Sequence, residues 1–270
     1  MRNYEIVELI ADEQPRLARE LAELPVEAWK TPSRCEGWTN ARVVAHLALG
    51  AELYRDCVSR ALNGDIAAPA GPDGQRMTVE EVRSQFRSRN DALVQRVPNE
   101  LMELLIRSGE ELLDLYRRLV PEDSDRPAWH PSGILTIGTF LAYRVGELGL
   151  HGWDIRGSVD PDAGLHSELC PFLVDMVRQG QPRFCRPDNR LIGTCRFEID
   201  GQLWTVRVAD GKIEMDSPSA VSDAVIRTDA STFVLLATSR RALAECVNRV
   251  HLDGEHPQAE QLLNATCFRL

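Results

Sequence analysis

The amino-acid sequence predicts a bundle of helices up to about residue 158, followed by a smaller α+β domain from about residue 165. Before residue 160, apolar residues recur three or four positions apart, which is the spacing of amphipathic helices. Around residues 204–208 they alternate with polar residues instead, as in a half-buried strand. Residues 157–164 contain two glycines, a proline and two aspartates, a composition typical of a linker.

The first domain contains five predicted helices, which cover residues 4–24, 39–62, 78–98, 99–120 and 136–156. Thr39 is suited to cap the second of these helices, and Thr78 begins a capping-box pattern at the start of the third. Residues 63–74 and 121–133 are predicted to be loops because glycine and proline cluster there. Long helices joined by loops predict an antiparallel bundle.

The second domain mixes short helices and strands. The dipeptides at 200–201 and 210–211 are both Asp-Gly and favour hairpin turns on either side of the alternating strand. The other predicted elements are helices at 167–179, 230–238, 241–248 and 257–264 and a strand at 250–252. This order of elements predicts an α+β domain.

Composition excludes several classes of protein. The 270 residues are 43% hydrophobic and 27% charged, a balance typical of a globular protein, and the net charge of -10 argues against nucleic-acid binding. No apolar run approaches the roughly 18 residues of a membrane span, and the first residues do not resemble a secretory signal. Seven cysteines without a CxxC pair indicate free thiols. We therefore expect a cytoplasmic protein without a membrane partner, either a monomer or a homodimer.

Three residues have the chemistry of metal ligands. Glu147 and His151 lie four apart on the last bundle helix, so their side chains project from the same face. His46 lies in the middle of another helix, among small apolar residues. If the two helices face each other, two imidazoles and a carboxylate form the ligand set of a catalytic zinc site with one open position. A hydrogen-bonded core histidine and a simple i,i+4 pair are the alternatives.

Two sequence motifs carry a family resemblance. The segments PSRCEGWTNARVVAHL (residues 32–47) and RVGELGLHGWD (residues 144–154) resemble the two signatures of the mycothiol-dependent maleylpyruvate isomerase family. This family belongs to the DinB-like metalloenzyme superfamily, and its second domain is related to sterol carrier proteins. The resemblance therefore implies a DinB-like four-helix bundle followed by a sterol-carrier-like α+β domain.

The resemblance also implies a divalent metal, expected to be zinc, on His46, Glu147 and His151, with mycothiol as a thiol cosubstrate. Asp154 follows His151 by three residues, and it is expected either to bond that imidazole or to make a hydrogen bond at the helix end. Trp29, Trp38 and Cys35, in the first motif or just before it, are expected to be structural.

The family uses one arginine of the bundle in catalysis and one of the second domain to hold the acidic thiol or the substrate. Arg76 is the candidate for the first role, and Arg240 and Arg241 are the candidates for the second. A guanidinium suits a carboxylate through its two parallel N–H donors, although arginine is also common on surfaces. The second domain is expected to complete the thiol pocket.

The expected activity is sulfur transfer or thiol exchange on a small electrophilic molecule, with mycothiol as the cosubstrate. Cis–trans isomerisation of the maleylpyruvate type is the first alternative. A metal-hydroxide hydrolase that needs no thiol and a non-catalytic protein that binds a small ligand are further alternatives. An open three-ligand site favours chemistry, whereas a closed four-ligand site favours a structural metal.

Overall fold

The computed structural model describes residues 2–217 and 221–268, and the chain divides into two compact units, Met1–Ala163 and Gly164–Leu270. The division falls inside the predicted linker. Within the described residues, no helix is both long enough and apolar enough to cross a lipid bilayer.

The first unit contains the five helices that the sequence predicts, here named α1 to α5. Their bounds are Asn3–Glu23, Asn40–Leu62, Val79–Leu93, Pro98–Arg117 and Ile137–Val159. Short 3-10 turns occur at Val26–Lys30 and Pro121–Asp123. Helices α1, α2, α4 and α5 pack on one another as a four-helix bundle, and α3 packs on α2.

The predicted caps explain where two helices begin. The Thr39 side chain accepts a hydrogen bond from the backbone N–H of Arg42 at the start of α2. At the start of α3, Thr78 accepts from the N–H of Glu81, and the Glu81 carboxylate accepts from the N–H of Thr78. Each cap satisfies backbone donors that have no partner within the helix, so both predicted starts are confirmed.

A β-hairpin begins at residue 127, so the predicted loop at 121–133 is wrong in its second half, whereas residues 121–126 contain only turns. Strand β1 (Pro127–His130) pairs antiparallel with β2 (Gly133–Thr136), and His130 lies opposite Gly133 across a two-residue turn. Each strand is only four residues long, too short to show a clear alternating pattern. The hairpin leads directly into α5, so it lies beside the residues that this helix carries.

The second unit is a five-stranded sheet with helices. Its elements are α6 (Cys170–Phe184), β3 (Gly193–Ile199), β4 (Gln202–Ala209), β5 (Lys212–Asp216), β6 (Ala224–Thr228), α7 (Ala230–Ala237), β7 (His251–Gly254) and α8 (His256–Ala265). The strand order is β5-β4-β3-β6-β7, and β3 and β6 are the parallel pair. The predicted α+β character is confirmed.

The two Asp-Gly turns behave as the sequence predicts. Asp200 and Gly201 have φ angles of 42° and 82°, and Asp210 and Gly211 have 52° and 70°. Positive φ at both central positions is the conformation of the tight turn that joins twisted antiparallel strands. Each turn therefore closes a hairpin, one between β3 and β4 and the other between β4 and β5.

The helix predicted at 241–248 was wrong. This segment contains only a 3-10 turn at Leu243–Glu245. Val247 is 62% exposed, so the segment has no continuous apolar face to bury and gains little from a longer helix.

The core of the second unit contains the aromatic rings of Phe197, Trp204 and Phe233, whose centroids lie 4.9–5.4 Å apart.

Candidate metal centre and the adjoining cleft

The structure brings the three predicted metal ligands together. His46 Nε2 lies 2.9 Å from Glu147 Oε2, and His151 Nε2 lies 3.5 Å from the same oxygen. One ligand atom from each residue lies within 4.8 Å of the other two. His46 comes from α2, whereas Glu147 and His151 come from successive turns of α5. These atoms are grouped closely enough for one ion to contact all three.

A buried arginine ties the two helices together next to these residues. Arg144 is 1% exposed, and its Nη1 donates a hydrogen bond of 2.9 Å to the backbone oxygen of Leu47. Leu47 follows His46 on α2, and Arg144 precedes Glu147 by about one turn of α5. Among the described residues, no hydrogen-bond partner contacts Nε or Nη2 of this guanidinium. Arg144 therefore places a positive charge next to the candidate ligands, with only part of its guanidinium hydrogen-bonded among the described residues.

Asp154 determines which nitrogen of His151 carries a proton. Its Oδ2 lies 2.8 Å from His151 Nδ1, and the residue is fully buried. Because a carboxylate oxygen only accepts hydrogen bonds, Nδ1 is the protonated nitrogen. In the neutral ring, Nε2 then directs a lone pair toward Glu147 Oε2. Two acceptor atoms that face each other at 3.5 Å need a cation or an additional proton between them.

The charges around Glu147 keep it ionised. Burial alone raises the pKa of this carboxyl group. The hydrogen bond from His46 and the electrostatic interactions with His151, His46 and Arg144 outweigh burial, and they hold the pKa at about 2. Glu147 is therefore a carboxylate at neutral pH, which is the form that binds a metal ion.

Aromatic rings hold both imidazoles. Trp38 stacks on His151, with ring centroids 6.1 Å apart, and meets His46 edge-on at 5.0 Å. Phe86 of α3 contacts His46 edge-on at 5.5 Å. Trp38 was predicted to be a packing anchor, and it packs against the candidate ligands themselves, while Trp29 is 4% exposed in the first 3-10 turn.

Cys35 lies closer to the site than the sequence suggested. Its sulfur and one ligand atom each from His151 and Asp154 lie within 4.8 Å of one another. The cysteine was predicted to be structural because no histidine adjoins it in sequence. Its histidine neighbour comes from α5, and sequence spacing carries no signal for a contact of this kind.

A cleft of about 370 Å³ opens beside His46 and Glu147. Side chains of α2, α3, the β1–β2 hairpin and α5 line it, including Tyr54, Val82, Arg83, Phe86, His130 and Tyr143. Arg83 Nη2 donates a hydrogen bond of 3.1 Å to the backbone oxygen of Pro131 and so connects α3 to the hairpin turn. Neither Arg83 nor His130 was predicted from the sequence to be a site residue.

The three predicted arginines belong to two different units, one to the first and two to the second. Arg76 Nη1 lies 3.0 Å from Asp65 Oδ2 and donates to the Ala68 oxygen, so it braces the loop before α3 and does not line the cleft. Within the second unit, Arg241 is 7% exposed and lines a cleft together with Ser239, and Arg240 is half-buried. The catalytic role of Arg76 and the thiol-binding role of Arg240 and Arg241 stay predictions.

Comparison with known families identifies the first unit. Residues 10–156, more than half of the chain, match the family described as the mycothiol maleylpyruvate isomerase N-terminal domain. The chain belongs to this family. The matched range includes all three candidate ligands of the mycothiol maleylpyruvate isomerase domain, together with Asp154 and the cleft beside them. No curated protein matches the sequence.

Solved structures show the same fold over nearly the whole chain. A crystal structure of the mycothiol-dependent maleylpyruvate isomerase has a TM-score of 0.67 and 15% identity, covering 94% of this chain and 95% of the other. A mutant of that enzyme has a TM-score of 0.66 and 14% identity, with the same coverage of both chains. YfiT from Bacillus subtilis, described as a probable metal-dependent hydrolase, has a TM-score of 0.45 and 21% identity. The match covers 57% of this chain and 83% of the other. The predicted order of the fold, a four-helix bundle followed by a smaller α+β domain, is confirmed.

Proposed function

We propose that this protein is a metal-dependent enzyme that uses the thiol mycothiol to act on a small electrophilic molecule. The observation that carries the proposal is the grouping of His46, Glu147 and His151 at the edge of a cleft, in a chain of the mycothiol maleylpyruvate isomerase family. These three residues would hold the ion. Two imidazoles and one carboxylate suit zinc and leave a position open for a ligand.

The protonation pattern of the site fits a cation. His151 donates Nδ1–H to Asp154, so its Nε2 lone pair is free to bind an ion. Glu147 is ionised, and its Oε2 faces both imidazoles. A divalent ion on one carboxylate and two neutral imidazoles keeps a net positive charge, which favours an anionic ligand such as a thiolate.

When bound, the divalent ion would stabilise a thiolate over a thiol, as it stabilises hydroxide over water. The protein residues supply the rest of the environment. Asp154 fixes the tautomer and the orientation of His151, and the rings of Trp38 and Phe86 hold the imidazoles in place. The cleft beside Glu147 gives a substrate room next to the site.

Isomerisation is the reaction that the family match favours. A thiolate forms a carbon–sulfur bond at one carbon of an activated double bond, and the π electrons move onto the carbonyl group conjugated with it. The remaining single bond rotates, the electrons return, and the sulfur leaves with its bonding pair as the thiolate. The thiol is therefore regenerated. Sulfur transfer, which the sequence analysis expects, differs because the new carbon–sulfur bond stays in the product, and it stays a prediction.

The purified full-length protein, maleylpyruvate and mycothiol test the proposal in one assay. We expect about one divalent ion per chain, as a single three-ligand site requires, and turnover that needs both the ion and the thiol. Isomerisation leaves the thiol concentration unchanged, whereas sulfur transfer consumes one thiol per product. His46→Ala should lose the ion and turnover.

The matched control is His251→Ala, which removes a histidine that is 72% exposed in the second unit. This variant should keep both the ion and turnover. Equal ion content in wild type and His46→Ala would refute the site. Full turnover without any thiol would instead indicate a hydrolase, and ion binding without turnover of any thiol or electrophile would indicate a binding protein.

A further inference from the structure

One wall of the cleft contains an imidazole outside the candidate metal centre. His130 is the last residue of β1, and it lies just before the hairpin turn. Its ring makes edge-on contacts with Tyr54, Phe140 and Tyr143, whose centroids lie 5.5–5.9 Å away. These contacts fix the plane of the ring. His130 lines the same cleft as His46 and Glu147.

A backbone donor determines the tautomer of His130. The N–H of Ser132 donates a hydrogen bond of 3.1 Å to Nδ1, and the Ser132 hydroxyl lies 2.7 Å from the same atom. Because a backbone N–H only donates, Nδ1 is the acceptor, and the proton of the neutral ring is on Nε2. Among the described residues, no hydrogen-bond partner contacts this Nε2–H.

The ring is neutral at physiological pH. Burial lowers the pKa of His130, Glu147 raises it and Arg83 lowers it, and the resulting pKa is about 4. His130 therefore offers one N–H donor without a charge. Arg83 lies beside it on the cleft wall and supplies a positive charge, since its guanidinium bonds the hairpin turn at Pro131. The rest of the wall includes the apolar side chains of Val82 and Phe86.

We propose that His130 is a substrate-binding residue, whose Nε2–H donates a hydrogen bond to a carbonyl or carboxylate oxygen of a small organic acid in the cleft. The proposal rests on the proposed function, because the cleft borders the candidate metal centre. The neighbouring guanidinium favours an acid over a neutral molecule. The donor favours an oxygen acceptor at a fixed point, so it selects an oxygen-bearing substrate and orients it relative to Glu147.

The tautomer is tested first on the wild-type protein. Imidazole nitrogen and proton correlation spectra, with the His130 signals assigned from His130→Gln, should show a protonated Nε2 and an unprotonated Nδ1 at pH 7. Adding maleate, a small unsaturated dicarboxylate, should shift the Nε2 signal more than the Nδ1 signal. A protonated Nδ1, or an Nε2 signal that maleate leaves unchanged, would overturn the proposal.

Binding is tested by calorimetric titration of maleate into wild type, His130→Leu and His130→Gln. Removing the donor should weaken binding about 5- to 10-fold, the effect of one net hydrogen bond. Glutamine places an amide N–H near the Nε2 position and should restore the affinity to within about 2-fold, since the donor is regained. His251→Leu is the control and should bind like wild type. Equal affinity in His130→Leu and wild type would overturn the proposal.

Neither measurement uses a thiol or turnover. If the protein proves to need no ion or no thiol, the proposed function fails while the maleate and tautomer results still decide the role of His130. If His130→Leu does not fold, the wild-type spectra decide it alone.

Discussion

His151 and His130 are two imidazoles of the same helical unit with opposite proton placements. A carboxylate, Asp154, accepts from Nδ1 of His151, so the free Nε2 is a lone pair that suits a cation. A backbone N–H, that of Ser132, donates to Nδ1 of His130, so the free Nε2 carries a proton that suits an oxygen acceptor. The same side chain therefore serves opposite ligands, and the partner of its other nitrogen decides which.

The charged groups near the two rings also differ, and the difference agrees with the proton placement. His151 lies 3.5 Å from the Glu147 carboxylate and also bonds Asp154, so two acidic side chains would stabilise a cation bound at its Nε2. His130 is surrounded by aromatic rings, and both burial and Arg83 disfavour the charged form. A helix with an acidic residue about one turn on either side of a histidine is thus suited to hold an ion, and the short hairpin is suited to hold a neutral donor.

The largest expected effect is on the cation side of this comparison. Glu147→Gln removes the one carboxylate shared by the two imidazoles, while the shape of the side chain is kept. We expect the affinity for zinc to fall by more than about 100-fold, because the site loses its anionic ligand. Competition titration with a chromogenic chelator measures the change.

Glu110→Gln is the control for this change, since it neutralises an exposed glutamate on α4. Zinc affinity in the control should equal that of wild type. If Glu147→Gln bound zinc as tightly as the control does, the carboxylate would not be a ligand.

A smaller effect is expected for the group that fixes the proton of His151. Asp154→Asn keeps an oxygen acceptor but removes the negative charge that supports the imidazole. Loss of such a supporting carboxylate typically lowers metal affinity about 10–100-fold, and we expect a value in this range. The same zinc competition measures it, with the exposed Asp125→Asn as the control. An unchanged affinity would show that the tautomer of His151 does not depend on the charge of Asp154.

The smallest expected effect is the contribution of His130 to the pH dependence of folding stability. The pKa of His130 is about 4 in the folded protein, below its usual 6.5, so the unfolded chain binds more protons between these values. Stability is therefore retained above pH 6.5 and lost as the pH falls toward 4. With allowance for solvent screening, the loss due to His130 is on the order of 1–2 kcal/mol.

Urea unfolding of the metal-free protein between pH 7 and pH 4 measures this loss. Other groups also titrate in this range, so the comparison is between wild type and His130→Gln. The variant should lose less stability than wild type over the interval. Identical pH profiles would mean that His130 is not held neutral by its surroundings.

The residues on α5 were predictable because helical periodicity places them together. Glu147, His151 and Asp154 lie three or four positions apart, so the sequence alone indicated that their side chains share a face. The caps at Thr39 and Thr78 were predictable for the same reason, since each depends on groups within one turn. The family resemblance predicted that His46 joins these residues, and the packing of α2 on α5 places it beside them.

The cleft wall was not predictable because its contacts are long-range. Arg83 bonds Pro131, 48 positions further along the chain, and Cys35 lies near His151, although no spacing rule relates the members of either pair. The arginine chosen from sequence, Arg76, pairs with Asp65 in its own loop instead. Four-residue strands such as β1 fall below the length at which an alternating pattern can be distinguished from a loop.

The hydrogen bond from Arg144 to the Leu47 oxygen bears on how the protein acquires its ion. It joins α2 and α5 beside the candidate ligands, and neither of its two partners is one of those ligands. We therefore expect ion uptake not to include the entropy of ordering the chain, unlike uptake by small domains that fold only around zinc. We expect the folded chain to bind the ion in a step separate from folding, so that the binding site is already formed before the ion binds. Such a protein can release its ion to a chelator and take it up again without unfolding.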